Sequence, residues 1–175
     1  MPLDNNGNDL KKYKKNLSTF IETGTAHGDG VQSALTAGFE TIYSVELSNT
    51  LFNSCMNRFS ENDNINLYNG SSEEVLPMIL ENINKPFLLW LDAHTSGGPY
   101  IGEPMHNYLP REMRSMMNYK DKLKDSVIMI DDMGHYLEDK NFCSIIESLL
   151  YELKPDGVQE YYRPENTHFV ILVSV

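Results

Sequence analysis

The chain is 175 residues long, enough for one domain with a sizeable core and too short for two. Hydrophobic residues at 41% and charged residues at 22% are the balance of a globular protein, and no apolar run nears the roughly 18 residues that cross a bilayer. A net charge of −11 argues against a nucleic-acid backbone as the main partner, because neutralising phosphates requires a basic surface.

The opening residues Met1-Pro2-Leu3-Asp4-Asn5-Asn6 lack the apolar core of a signal peptide, and Cys55 and Cys143 have no metal-type spacing. A cytoplasmic protein with reduced, packed thiols is the expectation. The polar stretch 1–8 reads as a flexible end, and 1–175 as a single domain. Lys11, Lys12, Lys14 and Lys15 form the one basic cluster, on a short helix over about Asp9–Asn16. A solvated helix face explains it; a docking patch for an anionic partner is the alternative.

A first strand is expected at about Thr19–Glu22, followed by a glycine-rich turn and a helix over about Asp29–Ala37, which Gly38 caps. A second strand, Glu40–Glu46, follows from its β-branched and aromatic content. Leu51, Phe52, Cys55, Met56 and Phe59 trace the apolar face of a helix over Asn49–Phe59. Ile65–Tyr68 is a third strand, ended by Asn69-Gly70-Ser71-Ser72. The next helix runs to about Ile83. Pro86–Leu91 is uniformly apolar, as a strand buried on both faces should be.

A Gly/Pro-containing loop over about Thr95–Asn107 then precedes a helix at Pro110–Leu123. Tyr100, Arg111 and Arg114, from this insertion, are candidates to bind an anionic or sugar-like substrate, with surface ion pairing as the plainer role. Val127–Ile130 is a fifth strand, Lys140–Leu153 a helix, and Val158–Tyr162 with His168–Val173 a closing antiparallel hairpin. The expected fold is α/β, a doubly wound, mostly parallel seven-stranded sheet with helices on both faces.

The turn after the first strand, Glu22-Thr23-Gly24-Thr25-Ala26-His27-Gly28-Asp29-Gly30, carries the most information. Glycines allow close backbone approach to a ligand, and the helix start beyond them turns free N–H groups toward it. The spacing is G-x-x-x-G-x-G, not the G-x-G-x-x-G of a dinucleotide fingerprint. Glu22, at the strand end, would repel a diphosphate but can accept hydrogen bonds from an ammonium or hydroxyl group. Glu46 ends the second strand, where an acid can hydrogen-bond ribose hydroxyls.

The loop together with Glu46 resembles the first two motifs of class I S-adenosylmethionine-dependent methyltransferases. The resemblance implies the strand order 3-2-1-4-5-7-6 with strand 7 antiparallel, and covers nearly the whole chain. It implies cofactor contacts from Glu22, Gly24, Thr25, Gly28 and Gly30 at the loop, from Glu46 at the ribose, from Gly70 and Ser71 near the adenine, and from Asp92. A tight turn without a ligand is the alternative for the loop, and an ordinary helix N-terminus is the alternative for Ser71-Ser72-Glu73-Glu74.

Asp92, Asp131 and Asp132 fall at the ends of the fourth and fifth strands, where a doubly wound sheet opens its crevice. Like charges gathered there repel unless something positive lies among them. A Mg²⁺ or Ca²⁺ ion is one solution, and this placement is similar to that of metal-dependent O-methyltransferases acting on catechols and sugars. The alternative has no metal: Asp92 touches substrate or cofactor, and His94 or His135 takes the proton. His27 lies within the glycine loop and reads as a surface residue, with a place bordering the cofactor as the alternative. The reading is therefore methyl transfer to a hydroxyl of a small or sugar-like substrate, by an enzyme that forms a homodimer or acts alone. A non-catalytic cofactor-binding partner subunit is one rival. A short-chain dehydrogenase is the other, since Thr23-Gly24-Thr25-Ala26-His27-Gly28-Asp29-Gly30 also fits T-G-x-x-x-G-x-G, and Tyr136 and Lys140 have the required spacing.

Overall fold

The structure is a computed structural model. It describes residues 7–94, 104–132, 139–153, 160–162 and 169–172. Five parallel strands form the centre: β1 (Thr19–Thr23), β2 (Thr41–Glu46), β3 (Ile65–Asn69), β4 (Phe87–Leu91) and β5 (Val127–Ile130), in the order β3-β2-β1-β4-β5. Two further strands, β6 (Glu160–Tyr162) and β7 (Phe169–Leu172), extend this parallel centre to the expected order β3-β2-β1-β4-β5-β7-β6, with β7 antiparallel. Both are short: they pair antiparallel with each other, and β7 pairs antiparallel with β5. The expected turn between them falls outside the described residues.

The helices are α1 (Asn8–Lys14), α2 (Asp29–Ala37), α3 (Asn49–Arg58), α4 (Ser72–Asn82), α5 (Met105–Ser115) and α6 (Lys140–Leu153), with a 3₁₀ segment over Met117–Leu123. Of the stretch 1–8, Gly7 and Asn8 are among the described residues. Gly7 is buried and Asn8 opens α1, and a Cβ at Gly7 would lie 2.7 Å from the Ser33 carbonyl oxygen on α2.

The helix expected at Pro110–Leu123 differs more. It starts five residues earlier, places Pro110 inside its second turn, and gives way to 3₁₀ geometry after Met116. As the sixth residue of the helix, Pro110 lacks the N–H that would meet the carbonyl of residue 106, so α5 carries it at the cost of one intrahelical bond.

Every residue of β1, β4 and β5 is buried, as continuous apolar runs between two helical layers require. Alternation of side chains divides the core into two. Ile21, Leu89, Leu91, Ile128 and Ile130 face α4, α5, α6 and the 3₁₀ segment. Phe20, Leu88, Trp90, Val127 and Met129 face α1, α2 and α3. Cys55 and Cys143 are free thiols. Among the described residues, no helix is long and apolar enough to cross a membrane.

The strand order reverses between β1 and β4. The chain leaves β1 toward one face through α2 and leaves β4 toward the other through α5, so the segments beyond the paired strand ends part and open a crevice. This geometry depends on β4 being filled on both faces. Leu89→Ala, which empties a fully buried position at its middle, is expected to cost about 2–5 kcal/mol in urea unfolding. A loss below about 1 kcal/mol would mean that β4 is not the central packed strand.

Candidate functional site

A cavity of about 310 Å³ occupies the crevice. Its walls come from the carboxyl ends of β1, β2, β4 and β5, from the loop after β1, and from Gly70, Ser72 and Tyr108. It gathers Glu22, Gly24, Thr25, Gly30, Glu46, Gly70, Asp92, His94, Asp131 and Asp132, residues distant in sequence that were each singled out as candidates.

Two expected contacts are placed differently. Gly28 and Ser71 do not line the cavity; Ser72 does, in place of Ser71. His135 and Tyr100 lie outside the described residues. Arg111 and Arg114 are exposed on α5, where Arg111 donates to Glu73 at 3.1 Å, so the ion pair is what the structure shows for it.

The loop's three glycines serve the chain's own packing. Gly24 adopts φ +82°, and a Cβ there would lie 2.3 Å from the Asp92 carbonyl oxygen, so it lets β1 and β4 converge at their ends. A Cβ at Gly28 would meet the Phe59 ring at 2.6 Å. At Gly30 it would fall 1.9 Å from a carboxylate oxygen of Glu22. The third glycine therefore makes room for the acid of its own motif.

Glu22 is buried and accepts a hydrogen bond from Ser44 Oγ at 2.7 Å, and that hydroxyl also meets Thr25 Oγ1. Burial pushes its carboxyl up to about 8; Ser44 opposes the shift, and Glu46 adds to it.

Glu46 accepts from the backbone N–H of Ala26 and of Ser48, each at 2.7 Å. Gly24 and Thr25 donate to the Val45 carbonyl at 2.8 and 3.1 Å. The loop is thus fastened to the end of β2. A carboxylate offers about four lone-pair directions, so Glu46 keeps acceptor capacity toward the cavity that it lines.

Two of the three aspartates flank a histidine. His94 Nε2 lies 3.3 Å from Asp132 Oδ2, and Nδ1 lies 3.8 Å from Asp92 Oδ1. A left-handed backbone at Asp132, φ +55°, turns its carboxylate to the ring, and its N–H donates to Asp131 Oδ1 at 2.7 Å. The hydrogen bond with His94 holds the Asp132 carboxyl well below the usual carboxylate range. Asp92 is raised well above it, by burial first and then by Asp131 and Asp132. His94 offsets part of the repulsion among these acids, and the remainder favours the protonated form of Asp92. Among the described residues no group of three His, Cys, Asp or Glu side chains is arranged to hold a metal ion. The expected Mg²⁺ site at Asp92, Asp131 and Asp132 is thus not shown among the described residues.

A further buried carboxyl, Glu112 on α5, went unnoticed in the sequence. It accepts from Ser72 Oγ, and Tyr108 one turn earlier places its hydroxyl 2.9 Å from Ser72 Oγ, 3.1 Å from Ser72 N and 3.1 Å from Ser71 Oγ. Burial pushes Glu112 up to about 7, against hydrogen bonds from Ser72 and Thr23.

No protein-family model and no curated protein matches this sequence. Solved structures do. The S-adenosylhomocysteine-bound methyltransferase PaMTH1 of Podospora anserina is 12% identical, with 94% of this chain and 75% of that one covered at a TM-score of 0.62. An O-methyltransferase from Bacillus cereus in complex with S-adenosylhomocysteine is 15% identical, covering 94% and 80% at 0.62. The O-methyltransferase TomG of Streptomyces achromogenes, involved in tomaymycin synthesis and solved with S-adenosylmethionine, is 14% identical, covering 97% and 79% at 0.62. The chain has the Rossmann-like fold of class I S-adenosylmethionine-dependent methyltransferases. At these identities it is the fold that is shared.

Glu22 and Glu112 bind a proton more tightly in the folded chain than in an unfolded one, whose carboxyls titrate near 4.5. Their contribution to stability is fully present below about pH 4.5 and is lost as pH rises through about 7 and about 8. Melting temperatures between about pH 5 and pH 8 are expected to fall less steeply for Glu22→Gln and for Glu112→Gln than for the parent. Parallel curves for all three proteins would show that these carboxyls are not desolvated.

Proposed function

We propose that the protein is an S-adenosylmethionine-dependent methyltransferase acting on a hydroxyl of a small molecule, without a metal. The observation that carries this reading is the cavity at the switch point, whose lining includes Glu22, Asp29, Glu46, Asp92, Asp131 and Asp132 and, among the described residues, no lysine or arginine. Such a surface suits a ligand that carries positive charge and repels a diphosphate. The shared fold supports the same ligand class.

When bound, S-adenosylmethionine supplies a methyl group already activated by its sulfonium. Glu46 accepts hydrogen bonds from the ribose hydroxyls through the lone pairs that Ala26 and Ser48 leave open. Glu22 faces the ammonium of the amino-acid end, with Gly24 and Thr25 as the adjoining wall, and Gly70 and Ser72 border the base end. The acceptor lies beside Asp92 and His94.

A hydroxyl needs its proton removed as it attacks. With Nε2–H donated to Asp132, His94 presents Nδ1 as the base, and the developing imidazolium is stabilised by Asp132. Orientation does the remaining work, since a sulfonium is a good leaving group. A non-catalytic cofactor-binding subunit would share the cavity but leave His94 without a task. The dehydrogenase alternative requires a diphosphate site, which the acidic lining opposes.

Calorimetric titration with S-adenosylhomocysteine is expected to give a Kd on the order of micromolar, unchanged by Mg²⁺, with NADH silent. Glu46→Ala is expected to weaken it at least about tenfold by removing both the ribose acceptor and the loop's anchor. His94→Ala is expected to leave affinity within about threefold and to remove methyl transfer in a screen of hydroxylated acceptors. Binding of NADH instead would move the protein to the oxidoreductases, and binding of neither would sink the reading.

A further inference from the structure

Three residues of α5 grip the start of α4. Tyr108, Arg111 and Glu112 stand at i, i+3 and i+4, one face of the helix, and meet Ser71, Ser72 and Glu73. The Tyr108 hydroxyl is fully engaged: it accepts from the Ser72 N–H and shares hydrogen bonds with both serine hydroxyls. One flank of its ring is covered by the Arg111 guanidinium, 5.4 Å from the ring centroid. Glu112, behind Ser72, fixes that serine and through it the phenol.

Tyr108 is nonetheless a wall of the cavity, alongside Gly70 and Ser72 and beyond Glu46 and Leu47. Its hydroxyl is occupied by protein, so what it offers a ligand is ring surface. A ribose held at Glu46 leaves the Gly70–Ser72–Tyr108 end of the cavity for a flat, apolar-faced group. A rigid aromatic ring with its polar tip satisfied is the surface on which a nucleobase packs.

We propose that Tyr108 is the residue against which the base of the nucleoside ligand packs, and that Glu112 is a positioning residue holding it there through Ser72. This rests on the nucleoside-ligand reading given above. It predicts a split between ligands. S-Adenosylhomocysteine carries base, ribose and amino acid, whereas 5′-methylthioadenosine lacks the amino acid, so a base contact acts equally on both.

The test titrates both ligands into four proteins. Tyr108→Leu is expected to weaken both by the same factor, about tenfold or more. Tyr108→Phe keeps the ring and is expected to stay within about threefold, and Glu112→Gln to fall between the two. Glu22→Gln, at the other end of the cavity, is expected to weaken S-adenosylhomocysteine alone. Should Tyr108→Leu fail to fold, NMR on the unmutated protein decides: cross-relaxation between the Tyr108 ring protons and H2 or H8 of bound 5′-methylthioadenosine is expected. Normal binding by the unmutated protein with unchanged affinities in Tyr108→Leu, or with no such cross-relaxation, overturns the assignment and leaves the methyltransferase reading intact. Failure of the unmutated protein to bind either ligand overturns both.

Discussion

The geometry of the site depends on a carboxyl group held where water cannot reach it. Glu22 is the fourth residue of a strand whose five residues are all buried, and it sits under the first turn of α2, accepting a hydrogen bond from Ser44 Oγ. Gly30 is a glycine because that carboxyl occupies the space of a side chain. The acid and the third glycine of the motif are therefore one packing unit. The loop between them is held from outside, by Glu46 on the Ala26 N–H and by Val45 on Gly24 and Thr25. A turn anchored at so many points is shaped before any ligand arrives, which lowers the ordering cost of binding. It also makes Glu22 responsive: neutral near pH 7 in the protein alone, its carboxyl becomes easier to ionise once a cation lies beside it.

Much of this was legible in the sequence because it depends on local pattern. Phe87–Leu91 and Val127–Ile130 are apolar on both faces, and only a strand between two helical layers uses such runs. Lys140–Leu153 has a helical period undisturbed by Gly or Pro, and its ends were read correctly. Glu22, Glu46 and Asp92 could be placed in one crevice because each ends a strand of a parallel sheet, and topology brings such ends together.

What stayed hidden depends on pairings without a period. Tyr108 and Glu112 went unread because Pro110 was taken as a helix start, the position that prolines favour, which left Tyr108 in a loop. With the helix begun at Met105, the spacing of Tyr108, Arg111 and Glu112 puts them on one face and marks that face as a contact. The glycines misled in another way. Their spacing signals close backbone approach and says nothing of what approaches; here it is Asp92, Phe59 and Glu22.

The acidic cluster shows how one electrostatic demand can have two answers. Three carboxylates at adjacent strand ends require compensation, and from sequence a divalent cation and a nearby base are equally good candidates. Thirty-eight residues separate His94 from Asp132, so no motif announces their contact. Once formed, the contact divides the carboxyls by role. Asp132 stays ionised against the imidazole, while Asp92, facing two other acids in a drier corner, retains its proton more readily. Neighbouring groups whose environments push their proton affinities apart are what acid–base work needs. With Nε2 committed to Asp132, Nδ1 is the ring nitrogen left to receive a proton, beside an aspartate that can share the resulting charge. A fixed cation at this place would compete with that proton for the same carboxylate oxygens. On the function proposed above, the cluster serves as a built proton acceptor.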